Sequence, residues 1–147
     1  LVKEAAATFG KQSIVGCLDI KYSKELKKYQ VYTHNGNKNL NLGLESCIEF
    51  LVTNGVGEIL INNIDLDGTY GGFNLDLISK ITELTPVPVS ICGGASSYLD
   101  IKNLWKNTNI SGIVSGSLWS FYENNNTVLL NYPNKKDKLN LFASKKT

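Results

Sequence analysis

The sequence predicts an α/β fold, the carboxyl-terminal half of a (β/α)8 barrel built from four strand-and-helix units. Two observations support this prediction. Short apolar segments rich in Ile and Val alternate along the 147 residues with segments of helical periodicity, as in sheets made of βα units. Each apolar segment also ends on an acid or a glycine, which is typical of parallel strands whose carboxyl ends carry functional loops.

The number of units indicates how much of a barrel to expect. A complete (β/α)8 barrel takes ~250 residues, so four units make half of one, and residues 1–147 are expected to form a single domain. A small open sheet of the flavodoxin type is the alternative, because it also alternates strands and helices. The chain starts at Leu1 and contains no Met, so we expect a piece of a longer protein or a processed product.

The first elements are a helix, a strand and a hairpin. The alanine-rich segment Leu1–Phe9 favours helix, and Gly10 provides its stop. The first strand is predicted at Ser13–Asp19. Residues 29–34 then alternate large and polar side chains before the turn signal Asn35-Gly36, which predicts a β-hairpin on the loop after the first strand.

Three further strands are predicted, each after a helix. The helices are expected near residues 44–52, near 74–83 and around Ile101–Trp105, with Ser96 or Ser97 as the cap of the last one. The strands are expected at Glu58–Asp65, Pro86–Gly93 and Gly112–Ser115, followed by a short helical turn at Ser117–Tyr122. Beyond this turn the signals weaken, and residues 124–147 are expected to form a tail.

The composition argues against several classes of function. Fifteen basic and thirteen acidic residues give a formal charge of +2, so there is no broad basic field and nucleic acid is not an expected partner. No segment is long and apolar enough for a signal peptide or a membrane span. Cys17, Cys47 and Cys92 are widely spaced, which supports neither a disulfide framework nor a zinc site. We therefore expect a cytoplasmic protein without metal or cofactor.

Asp19, Asp65 and Asp67 are the candidate acids. Carboxylates at the carboxyl ends of strands face the ligand in barrel enzymes. The structural alternative is that each one caps the loop that follows it through backbone hydrogen bonds. Asp65 is expected to point into the packing around its own strand, and Asp67 to lie at the rim beside Gly68.

Two glycine-containing strand ends predict an anion site. Gly93-Gly94 and Gly116-Ser117 each end a strand just before a helix, where bare backbone amides can hold a phosphate. Barrels frequently bind phosphate after strands seven and eight, which these strands would be in a second half. Tight turns without a ligand are the alternative. Lys21 could also meet an anionic substrate, although a solvated lysine is the commoner outcome.

Four segments together resemble a known family. They are Tyr32–Asn39, Gly57–Thr69, Cys92–Gly94 and Ser115–Leu118. These segments resemble the cyclase subunit of imidazole glycerol phosphate synthase over about residues 9–122, and the resemblance implies strands five to eight of that barrel. Residues 31–36, the Trp119 end of the last strand and residues 129–133 are more similar to the cyclase-like paralogues of surface-polysaccharide clusters, which are associated with sugar amidation.

The resemblance implies a function with partners. Ammonia from a glutaminase subunit would pass through the barrel and attack a phosphoribulosyl aminoimidazole carboxamide intermediate. The products would be imidazole glycerol phosphate and aminoimidazole carboxamide ribotide, in histidine biosynthesis. For the paralogues it implies work with a glutaminase and a separate sugar amidotransferase. In both cases the missing amino-terminal half, or a second copy, must complete the barrel, so the isolated chain is expected to be inactive.

The resemblance also implies roles for residues. Asp19 matches one of two aspartates that act as general acid and base. The second phosphate site of the family matches Asp67, Gly68, Gly94, Gly116 and Ser117. Glu58 matches a charged residue at the ammonia entrance, and we expect its partners in the missing half.

Two segments depart from the family pattern. Leu66 replaces the Arg between the two aspartates, and Leu40-Asn41 replace the Thr-Gly that closes a substrate loop. Both changes fall on loops that face the substrate. They favour the rival hypothesis of a non-catalytic scaffold that passes ammonia on, whereas the intact Asp19, Asp67 and glycine sites favour the enzyme.

Overall fold

The structure, a computed structural model, describes residues 1–122, 127–128, 130 and 132–143. Its helices are α1 (Val2–Phe9), α2 (Leu44–Thr53), α3 (Leu75–Leu84), α4 (Tyr98–Asn107), α5 (Ser117–Ser120) and α6 (Lys135–Phe142). Its strands are β1 (Val15–Ser23), β2 (Lys28–Thr33), β3 (Lys38–Gly43), β4 (Glu58–Asn63), β5 (Val89–Cys92), β6 (Gly112–Val114), β7 (Phe121–Tyr122) and β8 (Thr127–Val128). None of the described helices has the length and apolar content needed to cross a lipid bilayer.

Six strands form one sheet in the order β3-β2-β1-β4-β5-β6. β1, β4, β5 and β6 run parallel, and α2, α3 and α4 connect them in sequence. β2 and β3 form an antiparallel hairpin that extends the β1 side of the sheet. The predicted α/β alternation and the predicted hairpin are therefore confirmed.

The helices cover only one face of the parallel strands. Along β1, Gly16, Leu18 and Ile20 are buried, whereas Cys17 is exposed and Asp19 is half-buried. The buried face packs against apolar side chains that the three connecting helices contribute, among them Ile48, Ile78 and Leu104. A doubly wound sheet would carry helices on both faces. Helices on one face only are the arrangement of a barrel wall. The described residues therefore form a half barrel and not an open sheet of the flavodoxin type.

The uncovered face is called the open face below. By alternation and register it consists of Val15, Cys17, Asp19 and Lys21 of β1, Glu58, Leu60 and Asn62 of β4, Ser90 and Cys92 of β5, and Gly112 and Val114 of β6. In a closed barrel the open face would be the interior.

Both sides of the parallel sheet end in an unpaired edge. β1 pairs with β2 only from Asp19 onward, so residues 15–18 have no strand on that side among the described residues. β6 is the last strand on the other side. Unpaired edges are templates for pairing with further strands, and a barrel removes them by closing.

Some strand boundaries differ from the prediction. β1 continues to Ser23 rather than ending at Asp19, because its last residues pair with the hairpin. β4 ends at Asn63 rather than at Asp65, because the N–H groups of Leu66 and Asp67 both donate to the Asn63 carbonyl at 3.0 Å and form a turn. Phe121–Tyr122 pairs with Thr127–Val128 as a short strand, where helix was predicted.

Polar caps fix the two helices that start next to the rim of the sheet. The Asn74 side chain accepts a hydrogen bond from the Leu77 N–H at the start of α3, and Ser97 accepts one from the Asp100 N–H at the start of α4. The cap predicted at Ser96 or Ser97 is therefore Ser97. Asp100 in turn accepts hydrogen bonds from the N–H and hydroxyl of Ser96, which ties the loop after β5 to α4.

The predicted tail contains a helix that packs on the body of the domain. Leu141 of α6 is buried, and the ring of Phe142 lies edge-on to that of Trp105 in α4, with 5.0 Å between centroids. The rest of the predicted tail is described only at residues 127–128, 130 and 132–134 and at Ala143, and its other positions lie outside the described residues.

Candidate functional site at the carboxyl rim

The carboxyl ends of the four parallel strands meet along one rim of the sheet. Asp19 lies on β1 and Asp67 follows β4, while Gly94 follows β5 and Ser117 follows β6. Parallel strands placed side by side bring their ends to one edge, and barrel enzymes build their active sites at this edge. The rim is therefore the candidate site.

Part of the rim forms a narrow cleft of about 10 Å³. It is lined by Asp67, Gly68, Gly93, Gly94, Ala95, Ser115, Gly116 and Ser117. The structure thus brings together the five residues that the sequence predicted as a phosphate site. The enclosed part of the cleft holds about one water molecule.

Larger clefts lie elsewhere on the molecule. One of about 360 Å³ lies between the hairpin, α2 and α3, where Tyr29 and Lys80 line it. Another of about 270 Å³ lies between α4 and α6. Both are outside the rim and contain none of the predicted site residues.

Packing explains the two glycines after β5. Gly93 has φ +88° and Gly94 has φ +109°, a region that side chains rarely adopt. A Cβ on Gly93 would overlap the carbonyl oxygen of Asn63, and one on Gly94 would overlap that of Gly72. The Gly72 N–H donates to the Gly94 carbonyl at 2.8 Å. These glycines therefore let the loops after β4 and β5 pack together, whatever else they do.

Gly116 is different, because packing does not require a glycine there. Its φ is −94°, and a Cβ would meet nothing within 4 Å. It caps the short helix α5, whose Trp119 and Ser120 N–H groups both donate to the Gly116 carbonyl at 3.1 Å. A bare backbone beside open space leaves room for a ligand to approach closely.

The two aspartates after β4 have different environments. Asp65 was expected to point into the packing around its own strand, but it is exposed. Its carboxylate accepts a hydrogen bond from the Tyr22 N–H at 2.8 Å, so it ties the end of β1 to the loop after β4. Asp67 is exposed and lines the cleft. Its own N–H already donates to the Asn63 carbonyl, which leaves the carboxylate as the group that it presents to a ligand.

Asp19 lies on the open face, with a partner that the sequence interpretation missed. The Asn62 side-chain N–H donates to the Asp19 carboxylate at 2.9 Å. The alternation of β4 could have placed Asn62 on the polar side of its strand. Only the register of β1 against β4, which sets Asp19 opposite Asn62, makes the two residues neighbours.

Lys21 lies on the same face but is held by the hairpin. Its ammonium donates to the Gly36 carbonyl at 3.0 Å and lies 5.2 Å from the centroid of the Tyr32 ring. Gly36 has φ +76°, and a Cβ there would lie 2.7 Å from Ile64 Cδ1 and 3.1 Å from Lys21 Cε. Lys21 therefore fastens the turn to the sheet, and a substrate would have to share its ammonium with the turn.

Glu58 lies at the opposite end of its strand, away from the rim. It accepts a hydrogen bond of 2.5 Å from the Ser90 hydroxyl. Gly112 makes this possible, since a Cβ there would overlap the Ser90 oxygen. The expectation that the partners of Glu58 lie in a missing half is therefore corrected, because one partner is on the neighbouring strand of this chain.

The chemistry of Cys92 near the site is limited. Burial raises the pKa of the Cys92 thiol, and the negative charge of Asp67 raises it further. A thiol with a raised pKa stays protonated at neutral pH and is a poor nucleophile. Within the described part of the chain, no group of three or more His, Cys, Asp or Glu side chains could hold a metal ion.

Four parallel βα units covered on one side define the protein as an α/β half barrel of the (β/α)8 class. The chain belongs to the histidine biosynthesis protein family, whose family model matches residues 1–127.

Similar proteins have names from the same family. A Leptospira interrogans protein, provisionally named imidazole glycerol phosphate synthase subunit HisF, is 37% identical over 142 residues, which are 97% of this chain and 56% of that protein. A Vibrio vulnificus protein, provisionally named subunit hisF3, is 36% identical over 94% of this chain and 53% of its own length. The subunit HisF of Leuconostoc mesenteroides is 35% identical over 84% of this chain and 48% of its own length. The chain spans about half the length of the curated relatives that it matches.

Proposed function

We propose that this chain is the carboxyl-terminal half of a cyclase subunit of the imidazole glycerol phosphate synthase type. Such a subunit uses ammonia to convert a phosphoribulosyl aminoimidazole carboxamide intermediate to imidazole glycerol phosphate and aminoimidazole carboxamide ribotide. The observation that supports the proposal most is the shared rim of Asp19, Asp67 and the glycine-rich cleft, in a chain of the histidine biosynthesis family.

A phosphate of the substrate would bind in the cleft. Gly68, Gly94 and Gly116 would offer backbone N–H groups and Ser117 its hydroxyl, and hydrogen bonds to an anion are about twice as strong as neutral ones. Asp67 is a poor phosphate ligand, because its carboxylate repels a dianion and its N–H is already used. We therefore place Asp67 beside the reacting part of the substrate rather than on the phosphate.

Asp19 would transfer protons. Cyclisation and cleavage require a general acid and a general base that exchange protons with the substrate. A carboxylate on a strand is held more precisely than one on a loop, and Asp19 lies on β1. The second acid or base would come from the residues that complete the barrel.

Ammonia would enter at the other end of the strands. Glu58 begins β4, and its hydrogen bond with Ser90 lies at that end of the open face. The resemblance described above implies a glutaminase subunit as the source of the ammonia. We therefore propose that the glutaminase docks at the amino-terminal ends of the parallel strands.

The open face requires a second half barrel. It carries Asp19, Glu58 and Asn62 beside apolar groups, and both edges of the parallel sheet lack a partner strand among the described residues. A missing amino-terminal half or a second copy of the chain would cover these groups. The isolated chain is therefore expected to be inactive. Its free thiols fit a reducing cytoplasm, and the proposed reaction needs no cofactor.

A second candidate function is a non-cyclising paralogue that passes ammonia to a sugar amidotransferase in surface-polysaccharide (lipopolysaccharide or O-antigen) synthesis. Leu66 gives the loop after β4 no cation for an anionic substrate. Asn41, expected on a loop, lies within β3, where the register against β2 shifts. It has φ +56°, and its N–H donates to the Asn39 side chain at 2.7 Å, so this segment is bonded to itself. Both features favour substrate-facing segments that have changed their role.

The test is turnover of the ribulosyl intermediate with ammonium, by the natural protein that carries this chain. Formation of imidazole glycerol phosphate that is lost in Asp19→Asn supports the cyclase. The matched control is Glu49→Gln, an exposed acid in the middle of α2, which packs on the face of the sheet opposite the one that carries Asp19. No cyclisation, together with activation of a co-purified glutaminase, would rule out the cyclase and support the paralogue.

A further inference from the structure

We infer that Asn62 is a positioning residue whose amide holds the Asp19 carboxylate in one orientation for proton transfer. The inference rests on the proposed function, since it takes Asp19 as the group that acts on the substrate. Neither the resemblance nor the family membership assigns Asn62 a role.

The geometry brings the two side chains together from distant parts of the chain. Asp19 on β1 and Asn62 on β4 are 43 residues apart and stand opposite each other in the parallel register. The Asn62 N–H donates to one carboxylate oxygen at 2.9 Å, and both residues are half-buried. A strand-to-strand hydrogen bond of this kind fixes the rotamer of a short side chain more firmly than water does.

Asn62 is the anchor of Asp19 in this structure. Among the described residues, no other side chain donates a hydrogen bond to the Asp19 carboxylate or forms an ion pair with it. Lys21 is two positions further on β1, but it donates to the Gly36 carbonyl. One oxygen of Asp19 is therefore held while the other remains available to a ligand. The Asn62 amide is neutral and does not titrate. Its hydrogen bond to Asp19 therefore does not depend on the protonation of a second charged group.

The Asn62 side chain also destabilises the folded state, although its position on the strand does not require a polar residue. Its side-chain oxygen is buried without a hydrogen-bond partner among the described residues. A buried polar atom without a partner destabilises the folded state, and an apolar side chain of similar size would avoid the cost. Residues that lower the stability of the fold in this way are expected at functional sites.

The test compares three forms of the natural protein that carries this chain, namely wild type, Asn62→Leu and Asn62→Thr. Leu matches the size of Asn without a donor, and Thr suits a strand while its hydroxyl can still donate. We expect Asn62→Leu to lower kcat about 10- to 100-fold with little change in KM, because misplacement of a catalytic group acts on the chemical step. Asn62→Thr should recover most of the loss.

Thermal unfolding separates positioning from a structural role. Asn62→Leu removes the unpartnered oxygen, which stabilises the fold, but also removes the donor to the half-buried Asp19 carboxylate, which destabilises it. The two effects oppose each other, so its Tm should change little while its turnover falls. Wild-type turnover in Asn62→Leu, or a lower Tm with no recovery in Asn62→Thr, would overturn the inference.

Crystal structures decide the inference without any assay. Asp19 should occupy one rotamer in the wild type and several in Asn62→Leu, and one shared rotamer in both would overturn it. A wild type that fails to turn over the ribulosyl substrate would contradict the proposed function alone, and the rotamers of Asp19 would still decide the role of Asn62.

Discussion

Gly93 lies so close to the backbone carbonyl of Asn63 that no other residue fits at its position. A Cβ on Gly93 would overlap that oxygen, and its φ of +88° is a second obstacle. The contact joins the end of β5 to the turn that presents Asp67. The position of the candidate acid therefore depends on a glycine one strand away.

We expect Gly93→Ala to destabilise the protein by about 2 kcal/mol or more, because left-handed backbone alone costs about 1–2 kcal/mol for a residue with a Cβ. Gly116→Ala is the matched control, since its φ is ordinary and the space around it is open; its effect should stay within about 0.5 kcal/mol. Urea unfolding measures both. Equal stabilities for the two variants would contradict the close contact.

Ser90 should contribute to stability through Glu58. Its hydroxyl donates to a half-buried carboxylate, and hydrogen bonds to charged groups are worth about 1.5–3 kcal/mol. Ser90→Ala should therefore lower the free energy of unfolding by about that amount, measured by denaturant titration. Ser46→Ala, at an exposed position of α2, should change it little. A loss no larger than that of the control would mean that water replaces Ser90 as the partner of Glu58.

Asp67 should control the reactivity of Cys92. Burial raises the pKa of this thiol most, and the charge of Asp67 raises it further, because a nearby negative charge disfavours the thiolate. Asp67→Asn should therefore lower the pKa, so that alkylation of Cys92 by iodoacetamide sets in at a lower pH. Mass spectrometry resolves the rate at each cysteine.

Cys17 provides an internal reference in the same experiment. The pKa of the Cys17 thiol is raised by its partial desolvation and by the charge of Asp19, and Asp67 is not among the causes. Its alkylation profile should stay unchanged in Asp67→Asn. A Cys92 profile that does not move would place Asp67 further from the thiol than the structure does.

Lys21 should stabilise the turn of the hairpin. Lys21→Met keeps the apolar stem and removes the hydrogen bond from the charged ammonium to Gly36, which is worth about 1.5–3 kcal/mol. The Asn37 amide, which donates to the His34 carbonyl, should then exchange with solvent about 10-fold faster or more. Lys38→Met, at an exposed position of β3, is the control. An unchanged exchange rate would leave Lys21 free to serve a substrate.

Local patterns in the sequence were sufficient for the order of the elements. Ile-rich runs indicated buried strands, helical spacing of apolar residues indicated the covering helices, and Asn35-Gly36 indicated the hairpin turn. These signals act within a few residues, so they can be interpreted without knowing the partner strand. They were less accurate at the ends of β1 and β4, where pairing with the hairpin and the turn at Asn63 set the boundary.

The sequence also placed most of the candidate site. Asp67, Gly68, Gly94, Gly116 and Ser117 all follow predicted strands, and parallel strands place their carboxyl ends on one edge. Their common cleft was therefore predictable from topology. The reasons for the individual glycines were not predictable from topology. Only the packed loops show that a Cβ on Gly93 would overlap Asn63, whereas a Cβ on Gly116 would meet nothing.

The sequence by itself determined which segments become strands, which face of each is apolar, and which residues reach the rim. The tertiary structure alone decided that helices cover one face of the sheet and that polar partners meet across strands, Asp19 with Asn62 and Glu58 with Ser90. The reason is physical. Periodicity and turn chemistry are properties of neighbouring residues, whereas the register between parallel strands is fixed only when the helices that connect them have packed.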